Sequence, residues 1–483
     1  MPSRTERSFV LGWLVATVFT ATGWWLGSGT HPVWWATWLA PIPVLWLASR
    51  VRTAWAVAAA FVAMSLGSGN LWAYLHDHIR LPLPIVVYAM VLPGAIFALC
   101  VLFHKRLLLR GRPIAAALAV PVTWVAAAYA NNLLSPHGTF FDIAYTQMDA
   151  LPVIQVAAIT GIWGVGALLM LVATAVAMSG AAQVPIASRI AIATASSLLL
   201  IASLTYGFWR LHAPAESTLR AGLVALEQTG RLVSIETPEG RARQDRYLEA
   251  LSRLAAKGAQ AVVLPEGTFA TTHSLPGLAA WAEREGIVVD VGVDFQGEPG
   301  LERNMAMAFQ PGINAPTTYN KRHLIPGFED RFTPGTEDRM LSGTPRVGLA
   351  ICKDMDFQDI AVAYGRRHAQ LLLVPAWDFV ADGWLHSRMA IMRGVEGGFA
   401  IARVARSGRL TLSDDRGRVL AEASSEQDDA ELVGNVPLRE TSTLYARWGN
   451  WFAWLDGAAW LALVGLVLAP AAQKKRPEGR FSK

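Results

Sequence analysis

Long apolar stretches fill residues 9–208 and return at 450–470, and no other feature limits the fold of this chain as strongly. A helix needs about 20 predominantly apolar residues to cross a bilayer. Stretches near this length predict eight transmembrane spans, at 9–28, 33–49, 54–75, 83–103, 113–130, 151–178, 188–208 and 450–470. The stretch 33–49 contains Pro41 and Pro43, which predict a kink. We therefore expect a polytopic α-helical membrane domain.

Residues 211–444 have the composition of a soluble domain instead. Charged residues make up only 16% of the 483-residue chain, against about 25% in soluble proteins, and the shortfall lies in the apolar stretches. We divide the chain into a seven-span transmembrane domain at 1–210, a soluble domain at 211–444, and a last span with a basic tail at 445–483.

Lys and Arg residues are distributed unevenly among the loops that join the spans. One set of loops, together with both termini, contains most of them: Arg4, Arg7, Arg50, Arg52, Lys105, Arg106, Arg110, Arg112, Arg189, Lys474, Lys475, Arg476, Arg480 and Lys483. The opposite loops contain Arg80 and little else. The positive-inside rule then predicts cytoplasmic termini and a soluble domain on the outer side. The net charge of +5 reflects this orientation, so a nucleic-acid partner is not expected.

Short apolar runs alternate with amphipathic segments inside the soluble domain. The predicted strands lie at 220–228, 259–267, 287–295, 304–310, 345–352, 369–377, 399–406 and 410–420, and the predicted helices at 240–257, 277–286 and 384–399. This alternation is typical of an α/β sandwich. Two of the strands end at Glu266 and Cys352, and active sites of α/β folds collect at the carboxyl ends of strands.

Three residues of this domain are candidates for acyl-transfer chemistry. Cys352 is its only thiol, and it is either a nucleophile or an inert buried side chain. Glu266 follows an apolar strand and is either a general base in apolar surroundings or a surface carboxylate. Lys321 stabilises an oxyanion only if it is held in a dry site, and is otherwise a solvated charge.

No cofactor or metal is expected. The histidines lack the spacing of metal ligands, and the sequence contains no Gly-rich phosphate loop. Cys100 lies within an apolar stretch and Cys352 in the soluble domain, so we expect no disulfide between them.

Three motifs follow one another along the chain: "VVLPEGTF" around Glu266, "TTYNKRHLIPGFED" around Lys321, and "GLAICKD" around Cys352. Their order carries more information than any one of them. Over roughly 220–435 the chain resembles the carbon–nitrogen hydrolase (nitrilase) superfamily. With its flanking spans it resembles the apolipoprotein N-acyltransferase family over nearly its full length. The resemblance implies an αββα sandwich, with Glu266 as base, Lys321 as oxyanion stabiliser, Cys352 as nucleophile and Glu329 as a second active-site carboxylate.

The resemblance also implies a function. It implies an integral protein of the bacterial cytoplasmic membrane that moves a phospholipid acyl chain, through a thioester on Cys352, to the N-terminal amine of a diacylglyceryl-cysteine lipoprotein. We expect a monomer. Further residues fall where the family has a recurring pattern, and we interpret them as scaffold and substrate-groove positions: Trp377, His386, Arg393, Glu396 and Arg403.

The chain departs from the family pattern beside the nucleophile. It has Lys353 and Asp354 where the family usually has Tyr and Glu, and "IPGFED" reorders the usual Pro-Phe-Gly-Glu. These departures leave open an alternative function: a membrane-tethered amidase, or an acyltransferase with a different amine acceptor. A third hypothesis is a non-enzymatic membrane binding protein or transporter, which predicts ionisable residues in mid-span; the spans contain few.

Overall fold

A computed structural model of the protein describes residues 4–226, 232–297 and 300–469. Within this part, seven helices are long and apolar enough to cross a membrane: Ser8–Gly27, Thr53–Leu71, Leu83–Leu109, Pro113–Leu134, Ile162–Ser179, Ile186–Leu211 and Trp451–Leu468. The predicted polytopic helical domain is confirmed. The basic tail after the last span lies outside the described residues.

The transmembrane domain is built from α1 to α10, and α16 returns to it after the sandwich. The helices of the first part are α1 (Arg4–Gly27), α2 (Trp34–Leu39), α3 (Ile42–Ala48), α4 (Thr53–Gly67), α5 (Leu83–Leu109), α6 (Pro113–Leu134), α7 (Leu151–Ile154), α8 (Ala157–Thr160), α9 (Ile162–Ser179) and α10 (Ile186–Leu211). After the sandwich come α15 (Leu444–Trp448) and α16 (Trp451–Leu468).

Two predicted spans are not single long helices. The stretch 33–49 forms α2 and α3, separated at Pro41, because proline has no N–H to continue the hydrogen-bond ladder. The stretch 151–178 crosses only from Ile162 onward, since α7 and α8 precede α9 as single turns. The chain turns at Gly161, which has φ +69° and lies so close to Tyr445 that a Cβ would meet its ring at 2.5 Å.

The soluble domain consists of two six-stranded sheets between helices. The first sheet has the order β12-β1-β2-β3-β4-β5, and the second has the order β11-β10-β9-β8-β7-β6. Apolar side chains from both sheets fill the space between them, while α11 and α12 cover the outer face of the first sheet and α13 and α14 that of the second. This is the predicted αββα sandwich.

The strands are β1 (Ser217–Ala225), β2 (Ala261–Thr271), β3 (Val288–Phe295), β4 (Arg303–Phe309), β5 (Thr317–Asn320), β6 (Arg339–Met340), β7 (Val347–Leu349), β8 (Leu371–Trp377), β9 (Ala400–Arg406), β10 (Arg409–Ser413), β11 (Val419–Ser424) and β12 (Ala430–Leu438). The helices are α11 (Pro238–Ala256), α12 (Pro276–Glu285), α13 (Gln358–Arg366) and α14 (Gly383–Gly397). The predicted strand 410–420 is a hairpin, because Asp414 and Gly417 close a turn within it. Residues 227–228 of the first predicted strand lie outside the described part.

The sandwich rests on the transmembrane domain through α14 and several loops. Tyr74 donates a hydrogen bond to Asp382 (2.6 Å), and the Ile162 N–H donates to Glu396 (2.9 Å). Arg393 on α14 donates to the Tyr145 hydroxyl (2.9 Å). Because the partners on α14 and at its N-cap are buried, these bonds fix one face of the sandwich against the helical domain.

Candidate active site

Lys321 lies at the centre of the site, directly after β5. Its Nζ donates to Glu266 Oε1 (2.7 Å) and to Glu329 Oε1 (2.9 Å), and its side chain is fully buried. Burial alone would lower the pKa of Lys321, but the two carboxylates outweigh burial and raise the pKa well above its ordinary value. Lys321 is therefore a fixed buried cation, which is the condition set for an oxyanion stabiliser.

Glu266 reaches Lys321 because β2 bulges. The pairing of β2 with β3 is regular up to Leu264 and resumes only at Phe269, so the segment between them protrudes from the sheet. Gly292 on β3 makes room for it, since a Cβ there would lie 2.4 Å from the Glu266 Cα. Burial and the charge of Glu329 raise the pKa of Glu266, against the effect of Lys321, so that this carboxylate is a stronger base than an exposed one.

Glu329 and Asn304 complete a small polar cluster. Asn304 Nδ2 donates to Glu266 Oε1 (2.5 Å) and to Glu329 Oε1 (2.6 Å), while Glu329 Oε2 accepts from the Ile325 N–H (2.7 Å). The sequence analysis missed Asn304. Asn304 is the second residue of β4 and is followed by apolar residues only, so a lone polar side chain in this strand was the one signal that the sequence offered.

Cys352 lies three residues beyond the end of β7, in a single turn at Cys352–Asp356. Its φ is +42°, in the left-handed region that non-glycine residues rarely adopt. The thiol is buried, and its Sγ lies 3.5 Å from the Trp377 carbonyl oxygen. Burial and then the charge of Glu266 raise the pKa of the thiol, against Lys321 and Arg403, so the group is protonated at rest and needs a base to become a nucleophile.

Asp354 fastens the nucleophile turn to the segment that carries Lys321. Its carboxylate accepts from the Tyr319 hydroxyl (2.7 Å), from the Arg322 N–H (3.0 Å) and from the His323 N–H (2.9 Å). It also accepts from the Ile351 N–H (3.0 Å). Burial would raise the pKa of Asp354, but hydrogen bonds and the charge of His323 hold it below the ordinary value. Asp354, which departs from the family pattern, therefore connects the Cys352 turn to the segment that carries Lys321.

A cavity of about 240 Å³ opens beside Glu266 and Glu329, and its wall includes Trp377, whose carbonyl oxygen lies against the Cys352 Sγ. Apolar side chains form most of its wall: Leu232, Val293, Ile325, Phe328, Phe332, Trp377 and Phe379. Glu266, Asn304 and Glu329 line its polar end. Phe328 stacks edge-on against Phe379, with ring centroids 5.3 Å apart, and remains 54% exposed. The cavity thus joins an apolar mouth to a buried charged end.

The other positions singled out from the sequence lie around the site rather than in it, except Trp377. Arg403 makes a two-pronged ion pair with Asp378 (2.5 and 3.0 Å), and Arg393 pairs with Glu396 (3.0 Å). His386 lies between Asp378 and Asp382, and these carboxylates, against the effect of burial, raise its pKa to about 10. Asp378, Asp382 and His386 could together offer three ligand atoms to a metal ion, but Arg403 already occupies both oxygens of Asp378.

The fold and the site define a class: a carbon–nitrogen hydrolase domain carried on a helical membrane domain. Residues 220–445 match the carbon–nitrogen hydrolase family, and residues 21–175 match the apolipoprotein N-acyltransferase N-terminal domain. These two matches, in this order along one chain, support the apolipoprotein N-acyltransferase family.

Curated relatives carry that name. The protein of Geobacter metallireducens is 27% identical over 75% of this chain and 76% of its own length, and that of Gloeobacter violaceus is 28% identical over 60% and 61%. Among solved structures, the chain is similar to an amidase from Nesterenkonia sp. AN1, with 21% identity, a TM-score of 0.38, and coverage of 45% of this chain and 91% of the amidase.

Proposed function

We propose that the protein transfers an acyl chain from a phospholipid, through a thioester on Cys352, to the N-terminal amine of a diacylglyceryl-cysteine lipoprotein. The observation that carries the proposal is the buried Lys321 ammonium, held by Glu266 and Glu329 in the same site as the Cys352 thiol. The family that these matches support, and the names of the chain's relatives, supply the substrate class.

In the first half-reaction, Glu266 takes the proton of the Cys352 thiol and the sulfur attacks the ester carbonyl of the phospholipid. The tetrahedral oxyanion is stabilised by Lys321 and by the backbone N–H near Lys353. When the intermediate collapses, the C–O bond breaks and Glu266 returns its proton to the departing lysophospholipid hydroxyl. The acyl chain is left on sulfur as a thioester, with its tail directed to the apolar part of the cavity.

In the second half-reaction, the lipoprotein amine attacks the thioester carbonyl and forms an amide bond. Glu266 accepts the amine proton, the C–S bond breaks, and the proton passes from Glu266 to the sulfur, which regenerates the Cys352 thiol. The raised pKa of Glu266 suits both steps, because one carboxyl group must act first as base and then as acid. The apolar wall of the cavity limits access of water to the thioester and so favours aminolysis over hydrolysis.

We further propose that the protein lies in the bacterial cytoplasmic membrane as a monomer, with its termini inside and the sandwich outside. The loops near residues 74, 139 and 162 all contact the sandwich, and they belong to the set poor in Lys and Arg. Arg50 and Arg189 belong to the other set, and they bond to Gly180 and Ser179 around one end of α9. These contacts lie at opposite ends of α9, which supports the proposed orientation.

The test uses the purified full-length protein and a phospholipid with a labelled acyl chain. We expect label on Cys352, located by peptide mass spectrometry, and its transfer to a diacylated lipopeptide added afterwards. Cys352→Ser should form no thioester, whereas Cys100→Ala, which alters a thiol buried in α5, should behave as wild type. Release of free fatty acid without a triacylated product would overturn the proposal and favour the amidase.

A further inference from the structure

A loop of the transmembrane domain touches the nucleophile turn directly. Residues 137–139 follow α6, and Thr139 donates to the Asp356 carbonyl oxygen from both its backbone N–H (3.0 Å) and its hydroxyl (2.7 Å). Asp356 is the last residue of the turn that begins at Cys352. The transmembrane domain thus supplies two hydrogen bonds to the segment that presents the thiol.

The loop approaches this turn closely enough to require a glycine. Gly138 has φ +55°, and a Cβ at this position would lie 2.7 Å from the Asp356 carbonyl oxygen and 3.1 Å from the Phe357 ring. Contact at this distance leaves no freedom for the turn to shift toward the loop.

Lys353 adds a side-chain contact to the same loop. Its Nζ, which is nearly buried, donates to His137 Nδ1 (3.0 Å) and lies 3.8 Å from the Asp356 carboxylate. Lys353 follows Cys352 directly. Fixing the Lys353 side chain therefore also fixes its backbone N–H, which is available to the oxyanion that forms when Cys352 attacks the substrate.

Tyr145 and Arg393 in turn hold this loop in place. The Thr139 hydroxyl lies 2.5 Å from the Tyr145 hydroxyl, which accepts from Arg393 (2.9 Å). Arg393 is fully buried and pairs with Glu396. The left-handed backbone of Cys352 costs free energy and persists only where surrounding contacts over-determine it, and these contacts supply such support.

We propose that His137, Gly138 and Thr139 of the transmembrane domain are positioning residues, which hold the Cys352 turn in its reactive conformation, and that Lys353 is their anchor on the catalytic side. This rests on the proposed role of Cys352 as nucleophile, but not on the identity of the acyl donor or acceptor. The sandwich alone therefore lacks part of what orients its own nucleophile.

The first test compares Gly138→Ala with Gly312→Ala in the full-length protein in detergent. Both glycines have positive φ, but a Cβ at Gly312 meets nothing within 4 Å, so the pair separates the steric contact from backbone strain. We expect Gly138→Ala to lower kcat for acyl transfer at least about tenfold with little change in KM, and to alter the rate of Cys352 alkylation by iodoacetamide. Gly312→Ala should leave both unchanged. A folded Gly138→Ala protein with wild-type kcat and alkylation would overturn the proposal.

A second test does not depend on how well the glycine variant folds. His137→Leu, Lys353→Met and the double variant form a double-mutant cycle read by kcat and by Cys352 alkylation. If the two side chains act as a pair, the double variant should lose no more than the worse single variant. Fully additive losses would overturn the proposal. If Cys352 alkylation in the four proteins of the cycle shows the expected coupling but the wild-type protein forms no triacylated product, the proposed function fails while the positioning role stands.

Discussion

At the scale of single residues, the site holds one cation between two carboxylates. Lys321 neutralises only one negative charge, so Glu266 and Glu329 compete for it, and Asn304 offers both a neutral donor. The pKa of Glu266 is set by this competition: burial and Glu329 raise it, while Lys321 and Asn304 lower it. Removing the charge of Glu329 and removing the hydrogen bond from Asn304 should therefore move the pKa of Glu266 in opposite directions.

Glu329→Gln should lower the pKa of Glu266, because it removes a charge that raises it. Glu266 then remains ionised to lower pH, so the acidic limb of the pH profile of kcat/KM should move to lower pH. The weaker base should also reduce kcat, by about tenfold. Asp330→Asn, at an exposed neighbouring carboxylate, serves as the control. An unmoved acidic limb, or one that moves up, would contradict this account of Glu329.

Asn304→Ala should have the opposite effect on the same limb. It removes a hydrogen bond to the carboxylate form of Glu266, so the pKa of Glu266 should rise further and the limb should move to higher pH. The measurement is the pH profile of kcat/KM for Asn304→Ala, compared with that for Glu329→Gln. Shifts of equal sign in the two variants would mean that the cluster does not control Glu266 as described.

The sequence pointed to Glu266, Lys321, Cys352 and Glu329 because each stands in a recognisable motif whose order along the chain is informative. Asn304 escaped notice because one amide at the start of an apolar strand has no motif of its own. The positions of these side chains in the folded protein could not be derived, since they depend on a bulge in β2 and on Gly292 in the neighbouring strand.

At the scale of elements, β3 carries a buried carboxylate that the proposed chemistry does not use. Asp290 is fully buried between the sheets, and no described residue makes a side-chain hydrogen bond to it. Burial raises its pKa to about 7. Because the folded protein binds this proton more tightly than the unfolded chain, Asp290 favours folding fully below pH 4, and that contribution is lost as pH rises through about 7.

Asp290→Asn should therefore stabilise the protein in a pH-dependent way. At pH 8 the gain in the free energy of unfolding should be about 4 kcal/mol, and it should shrink toward pH 5. Thermal unfolding of the detergent-solubilised protein at both pH values measures it, with Asp245→Asn on the exposed side of α11 as control. An equal effect at the two pH values would show that Asp290 is not a buried carboxylate of raised pKa.

Elements with strong apolar patterns were predicted well, and short ones were not. The cores of β2, β3, β4, β8 and β9 fall within predicted strands. β5 and β6 were missed, because four and two residues at sheet edges carry no readable alternation. The longer β12 and α13 were not predicted either. The start of α9 was placed too early, since Gly161 breaks an apolar run whose composition alone gives no sign of a turn.

At the scale of the whole molecule, the loop charges predict an orientation that can be measured. Asp428→Cys lies on the exposed surface of the sandwich, and Ala182→Cys on the exposed loop between α9 and α10. In a background with Cys100→Ala and Cys352→Ala, a membrane-impermeant maleimide should label the first site in intact spheroplasts. It should label the second only after lysis. Labelling of Ala182→Cys in intact spheroplasts would show that the protein has the opposite orientation.

The chain enters and leaves the sandwich through neighbouring strands, β1 and β12, where Ser217 pairs with Leu438. The spans on either side, α10 and α16, are thus connected through two points one strand spacing apart. Such an arrangement makes the sandwich an insertion in a helical bundle: residues can be gained or lost within it without changing the distance that the two spans must bridge. The sandwich can therefore change in length while the membrane part keeps its packing.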